Sequence, residues 1–147
     1  MGNKVSIAEG IYMIGVDDRR TELFENIWPV PRGVSYNCYV INDEKTVLLD
    51  TVQFGIDGMF MERLEELLEG KPLDYLVVNH MEPDHSGEIR GVISRWPDVR
   101  VIGNQQTLKI MPNYFGDMSA NFMKVEDVET LSTGKYNLKF LYTPCVT

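Results

Sequence analysis

The chain has little positive charge, few cysteines and no long apolar run. Fourteen Lys and Arg stand against 22 Asp and Glu, and the formal net charge of -8 argues against nucleic acid or an anionic membrane as partner. No apolar stretch approaches ~18 residues and no signal-peptide core follows the N-terminus, so neither membrane insertion nor export is expected. Cys38 and Cys145 fit no Cys-x-x-Cys pattern, which is typical of reduced thiols in a cytoplasmic protein.

Several common catalytic motifs are also missing. The sequence has no Gly-x-Gly-x-x-Gly fingerprint, no Walker A pattern and no Gly-x-Ser-x-Gly nucleophile elbow. It also has no internal repeat, low-complexity tract or linker. We therefore expect one domain over residues 1–147, without a dinucleotide fold, a P-loop or a serine hydrolase site.

Both histidines of the chain lie within residues 79–87, hereafter the 79–87 loop. His80, Glu82 and Asp84 are two residues apart and would share one side of an extended segment. Pro83 favours this geometry because it keeps Glu82 out of the helical region. His85 follows directly and would project in another direction, so the loop can address two neighbouring points in space.

The surroundings of this loop indicate a strand followed by a helix. Residues 76–78 are a short apolar run typical of a buried strand, and apolar residues at helical spacing follow from Ile89 to Trp96. Proteins with an α/β fold usually place their chemistry on such loops.

The residue types of the loop suit a metal site. Imidazole nitrogen and carboxylate oxygen are ligands of iron, manganese and, less selectively, zinc. The pair His80 and Glu82 and the pair Asp84 and His85 could each give half of the ligands of one metal. A solvated acidic loop with two incidental histidines is the alternative, and four ligand-type residues within six positions favour the metal site.

The rest of the pattern predicts antiparallel strands followed by an α/β layer. Residues 36–41 and 46–50 form a hairpin around a polar turn, and apolar residues of a helix from Ile56 share one face. The further expected elements are strands at 10–16, 73–79, 99–102, 122–125 and 138–141, a helix from about Ser86 to before Pro97, and a helix at 105–111 that Pro112 stops.

The pattern His-x-Glu-x-Asp-His resembles the metal motif of the flavodiiron proteins, a branch of the metallo-β-lactamase superfamily. The commoner superfamily motif has His in place of Glu82, and the carboxylate makes the site harder and better suited to iron than to zinc. Residues 33–37, 49–51 and 142–144 also resemble the family pattern, so the resemblance runs from about residue 8 to residue 144.

This resemblance implies the fold and the ligands. The fold would be the N-terminal half of a metallo-β-lactamase-like αββα sandwich. His80 and Glu82 would bind one non-haem iron, and Asp84 and His85 the other. Two further His and a bridging Asp complete the family's diiron site, and one of those His would fall where this chain has Thr147. The flavodoxin-like FMN domain would lie beyond the C-terminus.

The resemblance also implies a function. Flavodiiron proteins reduce dioxygen to water or nitric oxide to nitrous oxide, with FMN from the neighbouring subunit of a dimer and rubredoxin or a flavin reductase as electron donor. We expect this chain alone to hold metal weakly and to be inactive. One alternative is an inactive fragment with a structural role, in which a homodimer or higher homo-oligomer covers the open face of the half-sandwich. A zinc hydrolase is a second alternative, which Glu82 disfavours.

Overall fold

The computed structural model describes residues 4–56 and 58–144. Expectations that concern the extreme N-terminus, Cys145 and Thr147 lie outside these residues. In chain order the elements are β1 (Val5–Ala8), β2 (Ile11–Met13), β3 (Val16–Asp18), β4 (Leu23–Phe24), β5 (Trp28–Pro29), β6 (Val34–Tyr36), β7 (Tyr39–Asn42), β8 (Thr46–Leu49), α1 (Gly58–Leu68), β9 (Tyr75–Val77), α2 (Pro83–Ser86), α3 (Ile89–Arg95), β10 (Arg100–Gly103), α4 (Gln105–Phe115), β11 (Phe122–Lys124), β12 (Thr130–Ser132) and β13 (Asn137–Lys139).

One seven-stranded sheet in the order β1-β2-β7-β8-β9-β10-β11 organises the molecule. The first four strands pair antiparallel, and β8, β9, β10 and β11 pair parallel. The parallel strands therefore end at one edge of the sheet, and β8 joins the two halves. Three two-stranded pairs, β3-β6, β4-β5 and β12-β13, complete the strands in the described part of the chain.

The central strands bury both of their faces. Successive residues of a strand point to opposite sides, and the alternation separates two hydrophobic clusters. The first contains Leu48 and Leu76, and the second contains Val47 and Val77. The near-continuous apolar runs of the sequence thus belong to a sheet that is covered on both sides, as such runs predict.

Helices cover the face of the first cluster. Residues Phe60, Leu64 and Leu68 of α1 are fully buried and recur at the spacing of one helical face. The helix ends before Gly70, whose φ of 84° favours glycine and stops the helix. The predicted helix and its stop are therefore confirmed.

A hairpin covers the other face, which corrects the expectation of an open sheet. Leu131 of β12 and Leu138 of β13 pack on the second cluster. The carboxylate of Asp43, in the turn before β8, accepts hydrogen bonds from the Thr133 hydroxyl and the Lys135 amide, both at 2.8 Å. The expectation was wrong because the chain folds back on its own sheet before residue 144.

Several predicted elements have different bounds: the helix expected from about Ser86 divides into α2 and α3, and the strands expected at 73–79 and 138–141 are the shorter β9 and β13. Two other differences have clear physical reasons. The strand expected over residues 10–16 breaks at Gly15, where an added Cβ would lie 2.2 Å from the carbonyl oxygen of Tyr36. The chain leaves the main sheet there, and β3 pairs with β6 instead. Helix α4 continues past Pro112 to Phe115, because Phe115 packs on the first cluster and its carbonyl accepts a bond from Arg90.

Among the described residues, no helix has both the length and the apolar character that crossing a bilayer requires.

Candidate metal site

The 79–87 loop leaves the sheet at the carboxyl end of β9. The strand lies between β8 and β10 and runs parallel to both. Crevices at this end of parallel strands are the usual ligand sites of α/β proteins. The loop therefore stands where a functional site is expected.

Pro83 shapes the loop in a way that was only half predicted. Glu82 is extended, with φ -69° and ψ 152°, as the residue before a proline should be. The extended run does not continue to Asp84, because Pro83 occupies the first turn of the short helix α2. Proline favours that position, since its missing N–H has no intrahelical partner there and its φ is already helical.

The four candidate side chains nevertheless lie together. His80 Nε2 lies 3.3 Å from Glu82 Oε2, and His85 Nε2 lies 3.5 Å from Asp84 Oδ2. The rings of His80 and His85 meet edge to face, with their centroids 5.8 Å apart. One ligand atom from each of His80, Glu82 and Asp84 falls within 4.8 Å of the others. The loop thus presents two adjoining imidazole–carboxylate pairs.

The two pairs differ in exposure. The side chains of His80 and Glu82 are 48% and 54% exposed, and those of His85 and Asp84 are 25% and 17% exposed. Asp84 Oδ1 and His85 Nδ1 are buried without a hydrogen-bond partner in the described residues. Such an unpaired polar atom costs about 1–3 kcal/mol. A divalent cation would satisfy a carboxylate oxygen and an imidazole nitrogen, so the residues present fit a metal.

Asp50, the residue after β8, supports the loop from the neighbouring strand. Its Oδ1 accepts the amides of Asn79 at 2.7 Å and His80 at 3.3 Å, and its Oδ2 accepts the Asn79 side chain at 3.2 Å. Burial raises the pKa of Asp50, while these donors and nearby His85 act in the opposite direction. Sequence reasoning gave Asp50 no role, although the residue belongs to one of the segments that carry the resemblance.

Tyr36, the last residue of β6, is a buried phenol whose pKa Asp84 influences. It is 1% exposed, and its hydroxyl donates to Gln53 Oε1 at 2.6 Å. Burial raises the pKa of Tyr36, and the carboxylates of Asp18 and Asp84 raise it further. The phenol therefore stays protonated at neutral pH.

A cleft of about 890 Å³ opens beside His80 and Glu82. It runs between the carboxyl edge of the sheet and the chain that follows β13. Its walls combine apolar residues of the sheet and α4 with that segment, among them Val77, Ile102, Ile110, Phe140 and Tyr142. The more exposed pair of candidate ligands is thus open to small molecules.

These features match a known family. The model of the metallo-beta-lactamase superfamily matches residues 31–137, and the chain belongs to that superfamily. Within it, the chain is similar to flavodiiron proteins. A flavo di-iron protein mutant from Thermotoga maritima superposes with a TM-score of 0.87 at 28% identity, over 96% of this chain and 36% of that one. The metallo-β-lactamase-like fold expected from the sequence is confirmed.

Two relatives whose names state an activity also match most of this chain. A nitric oxide reductase of Moorella thermoacetica is 32% identical over 98% of this chain and 36% of its own length. A rubredoxin-oxygen oxidoreductase of Megalodesulfovibrio gigas is 31% identical over 93% of this chain and 34% of its own length. The chain therefore spans about a third of the length of these relatives, and the resemblance to flavodiiron proteins is confirmed.

Proposed function

We propose that the 79–87 loop holds part of a non-haem diiron centre of an oxidoreductase that reduces dioxygen to water, nitric oxide to nitrous oxide, or both. His80 and Glu82 are ligands of one iron, and Asp84 and His85 are ligands of the other. The observation that carries the proposal is a pair of buried atoms, Asp84 Oδ1 and His85 Nδ1, that have no hydrogen-bond partner within residues 4–56 and 58–144, beside a group of three converging ligand atoms.

The ligand chemistry favours iron. Two carboxylates offset half of the charge of two divalent cations, and together with two neutral imidazoles they give a hard environment of oxygen and nitrogen ligands. When bound, ferrous ions supply electrons and open coordination positions to a small substrate. The chain itself contributes the access cleft and the main chain of the loop, which hydrogen bonds with Asp50 and Thr51 hold in place.

The name of one relative supports a proposal for the electron supply. One relative is named for rubredoxin, and we propose rubredoxin or a flavin reductase as donor, with FMN as the intermediate carrier.

Two protein ligands for each metal are fewer than stable diiron sites use. Both histidines of this chain are already in the loop, so further histidine ligands must come from outside these 147 residues.

Anaerobic titration of the isotope-labelled chain with Fe²⁺, followed by NMR, tests the ligand assignment even if binding is weak. We expect the imidazole signals of His80 and His85 to broaden first. Asp84→Asn should weaken the effect at His85 at least about tenfold, since it removes an anionic ligand. Glu66→Gln, on the exposed face of α1, changes the net charge equally and should leave both signals unchanged.

If Glu66→Gln weakened the broadening as much as Asp84→Asn, iron would be binding generally to the acidic surface, and the ligand assignment would be overturned. Preferential Zn²⁺ binding together with hydrolysis of a thioester or lactone would support the zinc hydrolase instead. The reductase assignment is tested by measuring dioxygen and nitric oxide consumption by the protein purified from its native cells. Failure to consume either gas, with iron bound, would refute it.

A further inference from the structure

Thr51 connects the end of β8 to the middle of the metal loop. It is fully buried. Its hydroxyl donates to the carbonyl oxygen of His85 at 2.8 Å, and its amide donates to the same oxygen at 2.9 Å. A single carbonyl, that of a candidate ligand, is therefore held by two donors from one residue.

The Thr51 hydroxyl is used in both directions. Besides donating to His85, its oxygen accepts the amide of Glu88 at 3.3 Å. The residue thus spans the last turn of α2 and the start of α3. Valine has the same shape but no hydroxyl, so it can replace neither bond, whereas serine retains both.

Asp50 holds the main chain at the other end of the loop by hydrogen bonds. It accepts the amides of Asn79 and His80 on one oxygen. Its own amide donates to the carbonyl of Val77 at 2.9 Å, and its φ of 58° turns the chain toward the loop. The two adjacent residues that leave β8 therefore contact the loop on either side of Glu82.

We propose that Asp50 and Thr51 are positioning residues for the diiron site, with Asp50 fixing the main chain at His80 and Thr51 fixing it at His85. This inference rests on the proposed function. Each residue holds one of the two imidazole–carboxylate pairs, so each controls the affinity of a different metal position. Partners that orient metal ligands typically change metal affinity by about 10- to 100-fold when they are removed.

The chain offers a matched control on the same strand. Thr46, at the other end of β8, is 1% exposed. Its hydroxyl donates to the carbonyl of Pro72 at 2.5 Å and accepts the amide of Asp74 at 3.0 Å. The hydroxyl also lies 3.3 Å from Asp74 Oδ2. Thr46→Val therefore removes the same two kinds of bond as Thr51→Val, with this contact in addition, but only Thr51→Val affects the metal loop.

The experiment is the Fe²⁺ titration with His80 and His85 observed separately. Thr51→Val should raise the iron concentration that broadens His85 by about 10- to 100-fold, with a smaller change at His80. Thr51→Ser should restore the wild-type value, and Thr46→Val should leave it unchanged. At position 50, glycine accepts the positive φ but lacks the carboxylate. Asp50→Gly should therefore raise the iron concentration that broadens His80, and Asp50→Asn should raise it less.

Equal losses in Thr51→Val and Thr46→Val, or no loss in Thr51→Val, would overturn the inference. If the unaltered chain binds no detectable iron, the gas-consumption measurement on the protein from its native cells decides the proposed function, because further ligands come from outside these residues. Amide exchange of the metal-free chain then decides the inference alone. The Glu88 amide should exchange about fivefold faster in Thr51→Val, corresponding to one lost hydrogen bond, and at the wild-type rate in Thr51→Ser and Thr46→Val. An unchanged rate in Thr51→Val would show that the loop does not depend on Thr51.

Discussion

Gly87, the residue after α2, packs more tightly than any side chain would allow. A Cβ added there would lie 2.3 Å from the Phe54 amide nitrogen, 2.8 Å from the Val52 oxygen and 2.9 Å from the Gln53 carbonyl carbon. All three are main-chain atoms. With an optimal separation of ~3.5 Å between carbon atoms, the two segments would have to part by about 1 Å.

We expect Gly87→Ala to lower the free energy of unfolding by about 1–3 kcal/mol, the usual cost of overpacking. Backbone strain adds nothing, because Gly87 has φ -57° and ψ -32°, which alanine adopts readily. For a urea m-value of about 2 kcal/mol/M, the midpoint should fall by roughly 0.5–1.5 M. Equilibrium urea unfolding followed by circular dichroism measures it.

Gly91→Ala is the matched control. Gly91 lies in α3, and its added Cβ would lie 2.7 Å from Oε2 and 4.0 Å from Cδ of the Glu88 side chain. Although Glu88 is buried, these are the end atoms of one side chain, and they need a smaller shift than the three main-chain atoms around Gly87. Alanine also stabilises a helix interior by about 0.5–1 kcal/mol relative to glycine, so we expect little net change. A Gly87→Ala chain with the wild-type midpoint and m-value would refute the close packing of residues 52–54 on the loop.

Three further predictions concern other parts of the molecule. Asp18→Asn should lower the free energy of unfolding by about 1.5–3 kcal/mol at pH 7. Asp17→Asn, which changes an exposed carboxylate, should lower it by less than about 0.5 kcal/mol, and thermal unfolding measures both. Bonds from the Thr21 hydroxyl and the Arg20 amide lower the pKa of Asp18, so its stabilisation is present at neutral pH and disappears as the pH falls through that lowered value; a pH-independent difference would contradict this. Burial raises the pKa of Cys38 to about 12, and mass spectrometry should find its peptide unalkylated by iodoacetamide at pH 8 until urea is added. The homo-oligomer expected from the sequence depended on an open sheet face, which the β12–β13 hairpin covers, so sedimentation at micromolar concentration should show a monodisperse 16.9 kDa species, and a larger species would contradict this.

Local patterns predicted the central elements well. The helix from Ile56 was visible because its apolar residues recur along one face, and Gly70 marks its end. The runs around Val47 and Val77 predicted strands buried on both faces, which the two hydrophobic clusters confirm. In each case the information lies within about a dozen neighbouring residues.

Elements that depend on distant partners were missed. Strand β12 contains only one apolar residue, Leu131, and it exists because β13 pairs with it and the sheet lies beneath. The bond between Asp43 and Thr133 joins residues 90 positions apart. The prediction that Pro112 stops the helix was wrong, because packing of Phe115 outweighs the hydrogen bond that the proline cannot donate.

The site shows the same division. The spacing of His80, Glu82 and Asp84 predicted that their side chains converge, and the structure brings them together despite the helical turn at Pro83. The supporting bonds of Thr51 could not be predicted, since they join residues 34 and 37 positions apart. They exist only because β8 and β9 pair in parallel, with Leu49 opposite Val77.

The attachments at the two ends of strand β8 limit where residues can be inserted or deleted in this chain. One end of the strand adjoins Asp43, which holds the covering hairpin, and the other end adjoins Asp50 and Thr51, which hold the metal loop. One inserted residue would lengthen the strand by about 3.3 Å and turn every later side chain to the opposite face. Either the hairpin or the loop would then lose its attachment. Natural variants should therefore gain or lose residues in the exposed turns, while the number of residues between Asp43 and Thr51 stays constant.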